Sequence, residues 1–467
     1  MGDVVRRRRR GQGQRRQRQI EELLEEVNLD AAGVDIGARA VVICVPKGRD
    51  PKGQQIRTFS TLMPQLREAS EWLKQCGVRT VAMESTGVYW IPLYELLEEQ
   101  GFEVYLVDAR KVKNVSGRKK DETDAEWLQK LHRYGLLHPA FRPEGAICEL
   151  RGYQRQRSML VKMAATHIQH MHKALTQMGL QLHHVLRDLM GVTGQKIVRA
   201  ILAGERDGRA LAQFRDPNCK NSEETIAQAL EGNYREEHVF SLRQAVELYD
   251  YYQEKIRDCD REIERKLREF EPRARGGSLP TGKHKKSGGN EPQFDLRSRL
   301  YEMTGVDLTR VPGLNSYTVL QAVSETGLDM SRWTDPKHFT SWLSLSPNHR
   351  ESGGKILGRS TQSSANRAAT AFRLGARALY NADNALGAFY RRVRARRGAP
   401  KAITATARKI AVIYYSMLCY GTEYVEKGQQ WYDQQYRTRV ERSLRRRAAA
   451  LGFRLVPSGE VATCPPA

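Results

Sequence analysis

The hydrophobic and polar positions between residues 31 and 143 alternate between two patterns. Short apolar runs predict strands in AAGVDIGARAVVICVP, which turns at Gly37, and in RTVAMEST and FEVYLVDA. The stretches WIPLYELLEEQG and DETDAEWLQKLHRYGLL have the spacing of amphipathic helices, each with a glycine at or near its end. Strands that alternate with helices predict an α/β domain, in which helices cover a sheet.

Residues 144–271 have a helical pattern throughout. Within them, apolar residues repeat at alternating spacings of three and four, which is the a/d seam of a coiled coil. The members of the seam are Leu242, Ala245, Tyr249, Tyr252, Ile256, Cys259 and Ile263. A helix of about 30 residues spans about 45 Å, so this connector is either a spacer or dimerisation arm, or half of an antiparallel hairpin within one chain. Both interpretations stay open at this stage.

The rest of the chain is organised around glycine, proline and basic residues. Residues 272–299 are rich in Gly, Pro and Lys and predict a flexible basic insertion. Residues 300–425 predict a mainly α-helical domain, with one helix after the Pro312-Gly313 turn and two more near 364–382 and 400–420, and residues 426–467 predict a basic C-terminal tail. The Pro312-Gly313 turn is typical of a helix-hairpin-helix motif, whose N–H groups hold a DNA phosphate, so Gly313 is a predicted nucleic-acid contact.

The charge of the chain indicates the class of partner. It has 77 Lys+Arg against 54 Asp+Glu, a net charge of +23, and such an excess attracts nucleic acid. Residues 1–30 open with consecutive arginines and predict a disordered basic arm that binds phosphates, or else a solubilising tail. We expect no membrane span and no signal peptide, and the seven scattered cysteines predict reduced thiols in a cytoplasmic protein.

Four acids stand where a sheet-based metal site needs them. Asp35 lies on the first strand, Glu84 ends another, and Asp121 and Asp124 are three residues apart in the predicted first turn of a helix. Converging carboxylates repel one another unless divalent cations neutralise them, and two bound Mg²⁺ ions support phosphoryl transfer. Each acid alone also has an ordinary interpretation, such as Asp121 as a helix N-cap with Asp124 favouring the helix dipole.

A second candidate site lies in NHRESGGKILGRS, residues 348–360. A serine hydroxyl is a weak nucleophile that needs activation by a base or a metal, and no histidine forms an obvious triad with Ser352, although His349 is close in sequence. Glycines after the serine let a backbone approach a phosphate. The cations Arg350, Lys355 and Arg359 are positioned along the chain to bind its charge.

Two sets of segments resemble one known family. GVDIGARAVVICV, AMESTGVYWIPLYELLEEQGFEVYLVDARKVK and GRKKDETDAEWLQKL resemble the RuvC-like DEDD domain of the insertion sequence 110 family of transposases. RVPGLNSYTVLQAVSETG and FTSWLSLSPNHRESGGKILGRSTQSSANRAATAFRLGARAL resemble that family's serine-bearing domain. Together the segments cover roughly residues 31–140 and 305–420, in the family's order.

The resemblance implies a fold and a reaction. The first domain is expected to be RNase H-like (RuvC-like), with Asp35, Glu84, Asp121 and Asp124 as Mg²⁺ ligands, and the second to supply Ser352 as the nucleophile that forms a covalent phosphoserine link to DNA. Family members act as homo-oligomers, such as dimers or tetramers, on donor and target DNA chosen by a structured bridge RNA. A bacterial, nucleoid-associated location is implied as well.

The chain departs from the family pattern at two places. Ser344 stands where relatives usually have glycine, and Gln362 stands where they have lysine. One expected phosphate contact is therefore either lost or moved to Arg367 or Arg373. Two other functions remain in competition with recombination. One is a junction nuclease that activates water and uses Ser352 only structurally, and the other is a basic nucleic-acid-binding protein with decayed sites.

Overall fold

The computed structural model describes residues 25–456 apart from 86, 109–111, 113–122, 275–278, 280–289, 354, 362–365, 422–423 and 426. The N-terminal arm up to residue 24, most of the predicted insertion and the last eleven residues of the predicted tail therefore lie outside the described residues. The chain divides into two compact units, residues 1–142 and 143–467.

The first unit contains a mixed five-stranded sheet, which confirms the predicted α/β class. Its elements are β1 (Ala31–Ile36), β2 (Ala40–Cys44), β3 (Ile56–Ser60), α1 (Met63–Gln75), β4 (Thr80–Glu84), α2 (Ile91–Glu99), β5 (Glu103–Val107) and α3 (Asp124–Arg133). The strand order is β3-β2-β1-β4-β5, with β1, β4 and β5 parallel and the β1-β2-β3 pairs antiparallel. The sequence pattern did not predict β3 and α1, because α1 has no side-chain N-cap and β3 is a short, half-polar run.

The sheet has a different cover on each face. On one face, alternate residues such as Val34, Val81 and Met83 pack with α1 and α2 in the main core of this unit. On the other face, Ala82 and Val107 pack with Trp127, Leu128 and Leu131 of α3. The side chains of β1 and β4 are therefore divided between two layers, and this division decides where their acids point.

A long helical hairpin opens the second unit. Helix α4 (Gly145–Gln177) packs against a helix that contains residues 252 and 266. The two run antiparallel, as shown by the contact of Lys266 with Glu149 near the start of α4 and the stacking of Tyr252 on His167 further along it. Four short helices lie between the two arms, namely α5 (Leu182–Val185), α6 (Val192–Ala203), α7 (Gly208–Ala212) and α8 (Glu223–Gln228), and α9 (Glu236–Arg268) completes the hairpin. The seam residue Ile256 packs on Leu160 and Ala164, so the seam forms the intrachain hairpin. Dimerisation stays a prediction.

The remaining helices form the C-terminal part of this unit. They are α10 (Leu296–Thr304), α11 (Ser316–Thr326), α12 (Pro336–Trp342), α13 (Arg367–Ala378), α14 (Ala385–Arg397), α15 (Ala399–Tyr420) and α16 (Gly428–Ala450), with the strands β6 (Asn348–Ser352) and β7 (Lys355–Ser360) between α12 and α13. In its core the rings of Phe339 and Tyr414 stack, and Phe372 meets Tyr414 edge-on. The helix predicted after the Pro312-Gly313 turn is present as α11, and those predicted near 364–382 and 400–420 are present as α13 and α15. Helix α14 was not predicted, and the predicted tail contains α16.

Two further expectations concern the described residues. None of the helices in this part of the chain is long and apolar enough to cross a membrane. The six cysteines that are described are all free thiols. Only Cys464 lies outside the description.

Candidate active site

Asp35 and Glu84 lie at the same end of two neighbouring parallel strands. In the register of β1 and β4, Val34 is opposite Met83, and Asp35 and Glu84 are the next residue on each strand. Pairing continues beyond Glu84, because the amide and the hydroxyl of Ser85 both donate to the Val107 carbonyl at 3.0 Å. The carboxyl edge of these strands is where α/β folds place functional groups.

Both acids also lie on the same face of the sheet. Successive side chains of a strand alternate between faces, so Asp35 shares a face with Gly33, and Glu84 shares one with Ala82. That face is the one covered by α3, because Ala82 packs against the helix and Gly33 touches its backbone. The two carboxylates are therefore half-buried neighbours beside α3 rather than members of opposite layers.

Helix α3 brings Asp124 to this edge. A Cβ on Gly33 would lie 2.2 Å from the Ala125 carbonyl oxygen, and the side-chain amide of Gln129 donates to the Ala31 carbonyl at 3.2 Å. The helix therefore runs back along β1 from its end towards its start. Asp124, the first residue of α3, lies at the edge that carries Asp35.

The helix N-terminus corrects one prediction. Its N-cap is Thr123, whose hydroxyl accepts from the Glu126 amide at 3.2 Å while the Glu126 carboxylate accepts from the Thr123 amide at 2.8 Å. The prediction that Asp121 and Asp124 share the first turn is therefore wrong, because the helix begins at Asp124, and Thr123 supplies the cap proposed for Asp121. Asp121 itself lies outside the described residues.

The donor chemistry of this edge fits a hard divalent cation. Asp35, Glu84 and Asp124 offer carboxylate oxygens, the ligands that Mg²⁺ prefers. Within the described part of the chain, however, no three or more His, Cys, Asp or Glu side chains are close enough together to hold a metal ion. A complete ligand set at this edge therefore needs a further group, and Asp121 precedes α3 by only three residues.

Two residues missed by sequence analysis position α3. His132 is buried, its ring nitrogen Nε2 lies 2.8 Å from the Thr80 hydroxyl on β4, and burial lowers its pKa to about 4, so the ring is neutral at pH 7. Gly33 allows the close approach of the helix backbone. A glycine inside an apolar strand weakens the strand and signals such an approach, and this was the available clue in the sequence.

Ser352 ends the first strand of a two-stranded hairpin. β6 and β7 pair antiparallel, with Ser352 opposite Lys355 as the last pair before the turn, and Gly353 has a φ of +56°. The hairpin has a bulge between Arg350 and Glu351. The backbone thus places the serine beside a tight turn. The contacts predicted for Arg350, Lys355 and Arg359 concern side chains outside the described residues, as do Gly354 and Gln362.

Three other predicted contacts are described. Arg367 is exposed as the first residue of α13, which Asn366 caps by accepting from the Ala369 amide at 3.0 Å. Arg373 lies deeper, where burial lowers the pKa of its guanidinium and its Nη2 donates to the Ser344 carbonyl at 3.5 Å. Gly313 has a φ of +92°, and a Cβ on it would lie 2.5 Å from the Gly375 carbonyl oxygen. This close packing accounts for the glycine without a phosphate contact, so the latter stays a prediction.

Ser344 has a φ of +54°, the left-handed conformation that favours glycine. It follows the C-terminus of α12, where the Leu345 amide donates to the Thr340 carbonyl at 2.9 Å, a position that glycine commonly occupies. We expect Ser344→Gly to raise the free energy of unfolding by about 1 kcal/mol, because a residue with a Cβ pays about 1–2 kcal/mol there. Denaturant unfolding followed by tryptophan fluorescence measures the change.

The control for this prediction is Ser341→Gly, inside the same helix. Glycine in a helix interior costs up to about 1 kcal/mol, so the two substitutions should move stability in opposite directions. If both lower it equally, the left-handed conformation of Ser344 carries no strain and the prediction is wrong.

Comparison with known families finds transposase models that match segments of both units. Residues 32–179 match a DEDD family model of the IS110 type, described as Transposase, and residues 307–391 match the model described as Transposase IS116/IS110/IS902 family. The chain is a transposase. No individual curated protein matches the sequence. The matched segments of the transposase contain the sheet, Asp35, Glu84 and α3 in one case and the Ser352 hairpin in the other. The five-stranded sheet with its helices is consistent with an RNase H-like DEDD domain.

Proposed function

We propose that this transposase cuts and rejoins donor and target DNA with divalent cations, Mg²⁺ in the cell, held by Asp35, Glu84, Asp121 and Asp124, and with Ser352 as the nucleophile. The observation that carries the proposal is the placement of three carboxylates at one edge of the sheet. Asp35 and Glu84 lie on the sheet face covered by α3, and Asp124 is the first residue of that helix, so the three come from separate elements.

In the proposed reaction, the Ser352 hydroxyl oxygen forms a bond to a DNA phosphorus and the bond from phosphorus to one deoxyribose oxygen breaks. The serine proton leaves as the bond forms, and the leaving deoxyribose oxygen takes up a proton, so the number of phosphodiester bonds is unchanged. A free strand hydroxyl then reverses the step on a new partner. Bound divalent cations supply activation of the attacking hydroxyl and charge stabilisation at the leaving oxygen.

The chain's own residues hold the reacting groups. The carboxylates of Asp35 and Glu84 are held by paired strands, and that of Asp124 by a capped helix, so none depends on a flexible loop. The Gly353 turn after Ser352 leaves room for a phosphate to approach the backbone. No described histidine is required as the base in this scheme.

Guidance by a bridge RNA and action as a homo-oligomer on nucleoid DNA belong to the same proposal. They are supported by the resemblance in both matched segments and by the basic charge, since delegating sequence choice to base pairing leaves the protein to bind backbone and shape. A structured non-coding RNA encoded beside the gene, with loops complementary to the element's ends and to its target, is the corresponding genetic observation.

The experiment is covalent trapping. The transposase is incubated with labelled DNA carrying its element ends, the RNA transcribed from the flanking region, and Mg²⁺, and protein-linked DNA is separated after denaturation. We expect an adduct with the wild-type protein and with Ser360→Ala, a control at the other end of the same hairpin, and none with Ser352→Ala. DNA cleavage that persists without an adduct in Ser352→Ala would support the junction nuclease instead.

The proposed role of the metal ligands is tested with a matched pair of glutamate variants. Glu84 and Glu103 lie at opposite ends of the neighbouring strands β4 and β5. Glu84→Gln should lower adduct formation by about a hundredfold or more, the scale of removing one group that stabilises transition-state charge, whereas Glu103→Gln should leave it unchanged. Equal rates in the two variants would exclude Glu84 from the reaction.

A further inference from the structure

A groove of about 990 Å³ lies beside the serine hairpin, between α14 and α15. Its wall includes four cations from these helices: Arg397, Lys401, Arg408 and Lys409. Lys401 and Arg408 are seven residues apart on α15 and so share a face of the helix. This spacing was visible in the sequence, but the partner helix α14 was not predicted, so the cations could not be assembled into one site.

The cations of the groove form no ion pairs with described acidic residues. In the described part of the chain, none of the four forms an ion pair with a carboxylate, whereas Arg392 on the outer side of α14 is paired with Asp433 at 3.1 Å. Partial removal from water, and then repulsion by Arg439 of α16, lowers the pKa of Lys409 although its side chain remains exposed. Uncompensated positive charge of this kind attracts an anion from solution.

The floor of the groove is apolar and includes an aromatic ring. Leu386, Val412 and Ile413 line it, together with Phe389. The ammonium of Lys409 lies 4.6 Å from the centre of the Phe389 ring, which in turn meets Tyr432 edge-on at 6.2 Å. Cations bordering an apolar, aromatic floor match an unpaired nucleic-acid strand, whose phosphates meet the charges while its bases contact the floor. A duplex presents only its phosphates to such a surface, because its bases are stacked inside.

The groove is continuous with both ends of the serine hairpin. Pro347 immediately precedes β6 and Thr361 immediately follows β7, and both line the groove. Ser352 is five residue steps along the strand from Pro347, a distance of about 17 Å at about 3.4 Å per residue. At the duplex rise of about 3.4 Å this span corresponds to about five nucleotides, and an unpaired, more extended strand covers it with fewer. A strand bound in the groove therefore reaches the serine within a few nucleotides.

We propose that this groove binds an unpaired segment of the DNA strand that Ser352 attacks, a few nucleotides from the scissile phosphate. The inference rests on the proposed role of Ser352 and adds the state of the substrate: the strand is locally melted when it reaches the serine domain. Arg397, Lys401, Arg408 and Lys409 hold its phosphates, and Phe389 with its apolar neighbours contacts its bases.

Binding is measured separately from chemistry, in full-length Ser352→Ala protein. Fluorescence anisotropy compares a labelled single-stranded DNA, its duplex and the RNA strand of the same sequence at several salt concentrations. We expect Lys409→Met to weaken binding of the single strand about tenfold and to lower the salt slope by about 0.7, the loss of one phosphate contact. Lys401→Met is the second variant, and Lys196→Met, an exposed lysine on α6, is the matched control.

Each outcome decides the inference. Selective loss for single-stranded DNA in both groove variants supports it. Unchanged binding relative to Lys196→Met, or an equal loss for duplex or for RNA, overturns it. The trapping experiment is independent of this one. A serine adduct without a groove effect retains the proposed function and rejects the groove. A groove effect without any adduct retains single-strand binding in the groove and rejects Ser352 as the nucleophile, and with it the identity of the bound strand.

Discussion

Gly33→Ala is expected to lower the free energy of unfolding of the first unit by about 3 kcal/mol or more, and to abolish covalent trapping of DNA. A Cβ at this position would lie 2.2 Å from the Ala125 carbonyl oxygen and 2.3 Å from the Gln129 amide nitrogen. Both are backbone atoms of α3, so no side-chain rotation relieves the overlap. The helix must move away from β1, and Asp124 at its first position moves with it.

The measurement has a thermodynamic and a local part. Denaturant unfolding gives the stability change, and amide exchange of α3 shows whether the helix has separated from the sheet. Gly37→Ala is the control, since a Cβ there would meet a single atom, the Ala40 carbonyl oxygen, at 3.3 Å. Wild-type stability and exchange in Gly33→Ala would contradict the close packing of α3 on β1.

The first unit shows how far sequence alone leads. The strands bearing Asp35 and Glu84 were predictable because their apolar runs are bounded by turn residues. The sequence does not show that Asp35 and Glu84 lie on the same face of the sheet. This follows from the parallel register of β1 and β4, and hence from which strands become neighbours. The start of α3 was misplaced by a few residues because several Asp and Thr residues in DETDAE are all competent N-caps, and only the bond to Glu126 selects Thr123.

Less of the second unit could be predicted from its sequence. The coiled-coil seam gave α9 correctly, but the sequence does not say whether the seam meets α4 or another chain, because both bury the same apolar stripe. Helices α14 and α16 were missed since arginines interrupt the apolar period in both. Arg392 shows why they form nonetheless: its guanidinium lies 3.3 Å from the centre of the Tyr436 ring, so aromatic and cationic side chains replace an apolar interface.

Arg157→Met is expected to destabilise the second unit by about 3–5 kcal/mol, because it leaves a buried charge without its partner. Arg157 of α4 is 1% exposed and pairs with Asp260 of α9, which is 6% exposed. The same guanidinium donates to the Asn290 carbonyl at 2.9 Å and lies 4.8 Å from the centre of the Tyr317 ring on α11. One side chain therefore joins the two arms of the hairpin to the helices of the serine domain.

An exposed pair of the same type is the matched control. Arg199 of α6 pairs with Asp250 of α9 at 2.8 Å, with side chains 51% and 44% exposed. Arg199→Met should cost less than about 1 kcal/mol, since water compensates an exposed partner. Denaturant unfolding gives the loss of unfolding free energy in each variant, and because both are Arg-to-Met changes in an Arg–Asp pair, the difference between the losses reports the effect of burial. Equal losses would show that the Arg157 pair is solvated in solution.

The double variant Arg157→Met with Asp260→Leu separates pairing from desolvation. Removing both charges eliminates the unpaired carboxylate, so stability should recover most of the loss and approach that of the wild type. The Asn290 carbonyl loses its donor in both variants and sets the residual cost, about 1–3 kcal/mol for a buried group left unsatisfied. A double variant as unstable as Arg157→Met alone would mean that the guanidinium acts through Asn290 and Tyr317, and that the serine domain rather than the hairpin depends on it.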